Sequence, residues 1–278
     1  TVEREEVFQV TYHNPADSAW WNLRKFRQLL LLGTPDDPWV ATALEQADGA
    51  VPAPGVTRVF DVWARGQSVT VVTLPETGAG SALASLLPEL RETYLERYRD
   101  WAHNRMFLTG PDSALADTLR QTAGFELIVP EVYRWQRRDS VFVFRNDNPD
   151  PSELIRQFTV TWRTPAPDSV SVGELLEWRE ELSRTHYEPR HVNDTTLMST
   201  ASLTVGGAEA RRLQAVWRNP PEANWPAGGN FIVQTVRCPD QDRLYLIDAW
   251  LYAPGKEKFE YLYQLDTILD SFRCGASA

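Results

Sequence analysis

Two β-rich runs, residues 196–205 and 208–217, are separated by Gly206-Gly207 alone. A two-residue Gly-Gly connection supplies the positive φ angles that a tight hairpin needs, and its twist matches that of the flanking strands. The chain is thereby committed to antiparallel pairing in its second half. Runs 230–238 and 243–252 repeat the pattern, and a helical periodicity follows Pro254-Gly255. Further strands are expected over 125–129, 132–136, 141–145 and 154–163, with a helix over 171–187 between them and the hairpins.

The first half reads differently. Short strands are expected over 7–12 and 26–32, and a short helix over 16–23. Asp36 and Asp37 can cap a helix over 38–47, with Pro38 in its first turn. Residues 58–64 and 68–74 form a hairpin around Arg65-Gly66-Gln67. A long helix over 81–107 follows, its stripe running through Leu83, Leu86, Leu87, Leu90 and Tyr94. A helix over 113–122 ends at Gly124, a natural left-handed cap. A hairpin followed by a helix thus occurs near both 58–107 and 230–272, which leaves a duplication open.

The expected fold class is α+β, in two lobes, each an antiparallel sheet with helices packed on one face. The lobes are expected at 1–110 and 111–278. With 278 residues the chain is long enough for two domains. No stretch approaches the roughly 18 apolar residues of a spanning helix. The formal charge of −10 argues against a nucleic-acid binder, because phosphate contacts need a basic face.

Two cysteines are present, Cys238 and Cys274, roughly 36 residues apart. The strand over 243–252 rises roughly 33 Å, and a returning helix over 256–272 covers roughly 25 Å. The end of that helix should therefore lie beside the turn carrying Cys238. This geometry favours a Cys238–Cys274 bridge over two unrelated thiols, and a bridge implies an oxidising compartment. The first thirty residues lack the order of a signal peptide. That alone separates neither a cytoplasmic chain nor an exported one whose signal was removed.

Signatures of catalysis are missing. The sequence holds no phosphate-binding loop, no dinucleotide fingerprint, no H-E-x-x-H, no C-x-x-C and no G-x-S-x-G elbow. His186, Glu188, His191 and Asp194 lie close together, but Pro189 interrupts any regular periodicity. They read as solvated loop residues rather than as a metal site. No cofactor and no metal are expected.

The unusual segment is 218–230, Arg-Asn-Pro-Pro-Glu-Ala-Asn-Trp-Pro-Ala-Gly-Gly-Asn. A tryptophan between prolines in a long inter-strand loop either folds back onto its own sheet or offers an anchor to a partner. Gly228 and Gly229 permit close backbone approach. The candidate partner- or ligand-binding residues are Asn224, Trp225, Gly228 and Gly229.

Leu197-Met198, Ala215-Val216-Trp217, Gly228-Gly229-Asn230-Phe231 and the run 248–268 (DAWLYAPGKEKFEYLYQLDTI) carry a resemblance. They resemble an uncharacterised domain-of-unknown-function family of envelope lipoproteins from Bacteroidetes-type bacteria. Ala215, Ala227 and Asn230 depart from the family's glycine, methionine and proline at those points. The order of elements in the second half also resembles the PsbP-like fold. These resemblances imply a non-enzymatic accessory or binding protein of the cell envelope, exported to the periplasm or outer membrane. Its expected partner is another envelope protein or a membrane-associated complex, with room for a lipid anchor upstream of Thr1. The alternatives are a hydrolase of an envelope polymer, using carboxylates in an inter-lobe cleft, and a small-ligand carrier.

Overall fold

A computed structural model describes residues 5–275 and divides the chain into two compact units. One holds residues 8–98, and the other holds residues 99–278 together with 1–7. The division falls inside one long helix.

The smaller unit contains α1 (Trp20–Leu23), β1 (Gln28–Gly33), α2 (Pro38–Leu44), β2 (Gly55–Phe60), β3 (Ser68–Thr73) and the first five turns of α3 (Ala79–Met106). Its sheet has the order β1-β3-β2, with β3 buried along its whole length. Strand pleating then decides the packing. Val69 and Val71 face Val40 and Ala43 of α2, while Val72 faces Leu86 and Leu90 of α3. Asp37 caps α2 through the backbone N–H groups of Trp39 and Val40.

The larger unit continues with α4 (Ser113–Ala123), β4 (Phe125–Glu126), β5 (Arg134–Arg138), β6 (Val141–Asn146), β7 (Ile155–Arg163) and α5 (Val172–His186). There follow β8 (Val192–Val205), β9 (Ala208–Arg218), β10 (Gly228–Cys238), β11 (Arg243–Tyr252), α6 (Phe259–Asp270) and β12 (Arg273–Cys274). Seven strands form one antiparallel sheet in the order β5-β6-β7-β11-β10-β9-β8. Along β11 the side chains alternate between two cores. Tyr245, Ile247, Ala249 and Leu251 pack with α4 and α6, while Leu244, Leu246 and Trp250 pack with α5.

The α+β class is as expected, with two differences inside it. Helices cover both faces of the seven-stranded and of the three-stranded sheet rather than one, because the central strands are apolar on both sides and each side needs a cover. The smaller sheet is mixed, since β1 runs parallel to β3. The expected strand over 7–12 is absent. Val10 and Tyr12 are 78% and 83% exposed, so no burial drives pairing there.

Cys238 and Cys274 are joined, with Cα atoms 5.8 Å apart. The end of α6 does return to the start of β11, as the length arithmetic requires. Cys274 lies in β12, which pairs with β4. Among the described residues no helix is long and apolar enough to cross a membrane.

Candidate functional site

In the larger unit, at one end of the face covered by α5, lies a cleft of about 460 Å³. Four aromatic side chains wall it: Trp217 from β9, Trp225 from the β9–β10 loop, and Trp250 and Tyr252 from β11. Trp217 and Trp250 meet edge to face at 5.5 Å, as do Trp225 and Tyr252 at 5.9 Å. Polar groups interrupt the rings: Asn219, His191, Glu188, Ser152 and Arg145 also line the cleft.

Two of the lining residues also hold a polar atom that is sealed from solvent and has no hydrogen-bond partner, Nε1 of Trp250 and Oδ1 of Asn219. Such groups are rare in folded proteins, and each costs about 1–3 kcal/mol while unpaired. The other half of the Asn219 amide is committed. Its Nδ2 donates to the carbonyl of Trp225 at 3.0 Å, and its backbone N–H donates to Ala227 O at 2.8 Å. Asn219 therefore fixes the loop that carries Trp225.

Beneath the cleft lies a buried polar cluster. Arg179 of α5 donates from Nε to Asp248 Oδ1 (2.9 Å) and from Nη1 to Asn193 Oδ1 (2.6 Å). Its guanidinium carbon sits 3.7 Å from the centre of the Phe231 ring. Tyr187 donates to the second carboxylate oxygen of Asp248 at 2.8 Å. Arg179 Nη2 also meets His191 Nδ1 at 3.3 Å. A guanidinium only donates, so Nδ1 accepts and the imidazole proton sits on Nε2. His191 stacks on Trp217 at 3.8 Å and 10°. Burial and the Arg179 charge hold its basicity well below the ordinary imidazole value. Burial pushes the Tyr187 hydroxyl well up and the Asp248 carboxyl upward, the latter against the pull of Arg179.

Of the residues singled out from sequence, Trp225 lines the cleft and is 47% exposed. Asn224 is exposed beside it, outside the lining. Gly228 and Gly229 begin β10, paired with Arg218 and Trp217. A Cβ at Gly229 would collide with the carbonyl oxygen of Leu251, so the close approach made there is that of β11. His191 is 3% exposed, not a solvated loop residue, because β9 and β11 provide rings for it to pack on. Among the described residues no group of His, Cys, Asp and Glu is arranged to hold a metal.

Sequence reasoning missed Arg179, Asp248 and Asn219. The signal for the first two was present: one arginine on the apolar stripe of a helix, and one aspartate inside an apolar strand.

The sequence profile of a domain of unknown function, DUF4837, matches residues 112–271. The resemblance read from residues 197–268 falls within that span. A search of the curated proteins finds no match. Among solved structures, cyanobacterial PsbP (CyanoP) from Synechocystis sp. PCC 6803 is similar at 13% identity, over 54% of this chain and 86% of that one, with a TM-score of 0.34. The Saccharomyces cerevisiae Ran-binding protein Mog1p shows 14% identity over 55% and 91%, at a TM-score of 0.35. LpqN, involved in cell envelope biogenesis of Mycobacterium tuberculosis, shows 14% identity over 54% and 83%, at 0.32.

Proposed function

The chain belongs to the DUF4837 family, and from that premise we propose a non-enzymatic binding module of the cell envelope that engages another envelope component through the aromatic cleft. The observation that carries this reading is the cleft, where four aromatic walls stand among the polar side chains of Asn219, His191, Glu188, Ser152 and Arg145.

The Cys238–Cys274 bond supports export, since disulfides persist in oxidising compartments such as the periplasm. The family resemblance read in the sequence supports a periplasmic or outer-membrane site, with a lipid anchor upstream of Thr1. The chemistry of the lining supports binding over catalysis. Among the described residues that line the cleft, Glu188 is the single carboxylate. A glycosidase-type pair needs a second carboxyl at about 5–9 Å. Asp248 is committed elsewhere, with both oxygens held by Arg179 and Tyr187.

Sedimentation with cell envelopes from the organism that encodes the protein tests the reading. The wild type is expected to pellet with the envelopes, and Trp225→Ala to remain in the supernatant at an unchanged melting temperature. Equal pelleting of the two, or pelleting of neither, overturns it.

A further inference from the structure

We infer that β8 is a self-association edge, along which a second copy of this chain pairs antiparallel about a two-fold axis at Ser202. The inference is independent of what fills the aromatic cleft.

The seven-stranded sheet ends in two unlike edges, β5 and β8, each paired on one side only among the described residues. An open edge is a template for another chain, and proteins blunt it with short strands, charges, prolines or bulges. β5 is blunted in this way. It is five residues long, and Arg134, Arg137 and Arg138 are three of them. β8 is 14 residues long, and the run 195–205 holds neither a charge nor a proline. Residues 195–202 are all exposed. The one interruption of β8 is a bulge over 195–198, between Asp194 opposite Val216 and Ser199 opposite Gln214. The regular edge therefore runs from Ser199 to Val205, bounded by the bulge and by the Gly206-Gly207 turn.

The midpoint of that edge is Ser202, and the hydrogen-bond alternation selects the same residue. In a two-residue hairpin the flanking pair, here Val205 and Ala208, exchanges its backbone bonds. Leu203, Ala201 and Ser199 then also bond inward to β9, so Thr200, Ser202 and Thr204 turn N–H and C=O outward. A two-fold axis at Ser202 pairs all three, with Ser202 opposite Ser202 and Thr200 opposite the second copy's Thr204. Any other register runs one of the three onto the turn or the bulge. The side chains agree with this register. Leu203, which packs on the α6 core, falls opposite the second copy's Ala201, while hydroxyl meets hydroxyl on the other face. Cross-strand pairs of these kinds favour antiparallel association, and no like charges oppose it.

The pairing is isologous, and the arginines of β5 repel a further copy at the far edge, so assembly closes at the dimer. A two-fold axis perpendicular to the sheet keeps both α5-covered faces, each with its aromatic cleft, on one side of the doubled sheet. Seven residues a side, 199–205, fall short of the roughly 20–30 of a stable complex, so the dimer is a weak and reversible one.

Sedimentation velocity of the whole chain from about 10 μM to about 1 mM, a range that spans weak association, provides the test. The mass is expected to rise from monomer to dimer and stop there. Ser202→Pro removes an outward N–H that the β8–β9 ladder does not use, and Ser202→Lys sets two ammonium groups across the axis. Each should weaken association about tenfold or more at an unchanged melting temperature, and where proline disturbs the fold the lysine variant decides. Thr196→Lys, in the bulge, should leave association unchanged. Ser202→Cys should cross-link on mild oxidation, because directly opposed residues of a hydrogen-bonded pair have Cα atoms about 5.5 Å apart, within disulfide reach. The wild type has no free thiol to compete. A wild type that stays monomeric throughout, as it would if β8 instead awaited a strand of another protein, overturns the inference. So does a dimer indifferent to both Ser202 substitutions, a dimer whose Ser202→Cys form does not cross-link, or growth beyond the dimer.

Discussion

Arg179 Nε donates to Asp248 Oδ1 at 2.9 Å, and neither side chain has any exposed surface. The pair joins the middle of α5 to the middle of β11 beneath the aromatic cleft. Breaking a buried pair from one side strands the other charge, which costs about 3–5 kcal/mol. Asp248→Asn and Arg179→Met are each expected to lose stability of that order in urea unfolding. Arg179→Met combined with Asp248→Leu should lose less than the two single changes added together. Additive losses would show that the two residues act independently.

The bridge between Cys238 and Cys274 closes a loop of 36 residues. In the chain-entropy account such a loop contributes about 3–4 kcal/mol. Replacing both cysteines by alanine should lower the unfolding free energy by that amount. Reductant should shift the wild type in the same direction and leave the double variant unaffected.

His191 and Asp266 shift stability in overlapping pH windows with opposite sign. The unfolded imidazole of His191 takes a proton as pH falls through about 6.5, while the folded one, held low by burial and Arg179, does not. The unfolded state then binds more protons, so acidification below about 6.5 destabilises the fold. Asp266 behaves in reverse. Burial pushes its carboxyl up to about 6 against the pull of Arg212, so between about 4 and 6 the folded state binds more protons and gains stability on acidification. Melting temperatures from pH 7 to pH 5 should therefore fall more steeply in Asp266→Asn than in the wild type. In His191→Gln they should fall less steeply or rise.

Gly229→Ala tests the local packing. Its Cβ would overlap the carbonyl oxygen of Leu251 and crowd the Trp217 indole, whose Nε1 donates to that same oxygen at 3.1 Å. Overpacking of this kind costs about 1–3 kcal/mol. The loss should appear as a lower urea midpoint.

Trp225→Ala should be nearly silent in stability. The ring is 47% exposed, and the loop is held through its backbone carbonyl by Asn219 rather than through the indole. A change of no more than about 1 kcal/mol is expected by thermal unfolding.

The antiparallel half was legible because its signals are local. Gly206-Gly207 announces a two-residue turn, and the structure places both at positive φ between β8 and β9. The return of α6 was legible because strand and helix rises convert residue counts into distances. The pairing of β4 with β12 was not, since Phe125 and Cys274 lie far apart in the chain and each contributes only a two-residue strand. Trp225 stood out for its proline neighbours, but Asn219, which pins its loop, looked like any polar residue before a proline pair. The Arg179–Asp248 pair was hidden for a different reason. One ion on a helix stripe and one in a strand each look like an exception to apolar patterning, and only the tertiary fold shows that they answer each other.

The cross-link has a mechanical consequence. A pull delivered along the backbone passes from Cys238 straight to Cys274 through the sulfurs, so β11 and α6 carry no tension. Fully stretched, the oxidised chain should measure shorter than the reduced one by about 120 Å, the contour of the bypassed stretch. Asp248, Trp250 and Tyr252 lie inside that slack segment, so one flank of the cleft would stay unstretched while the rest of the chain was drawn out.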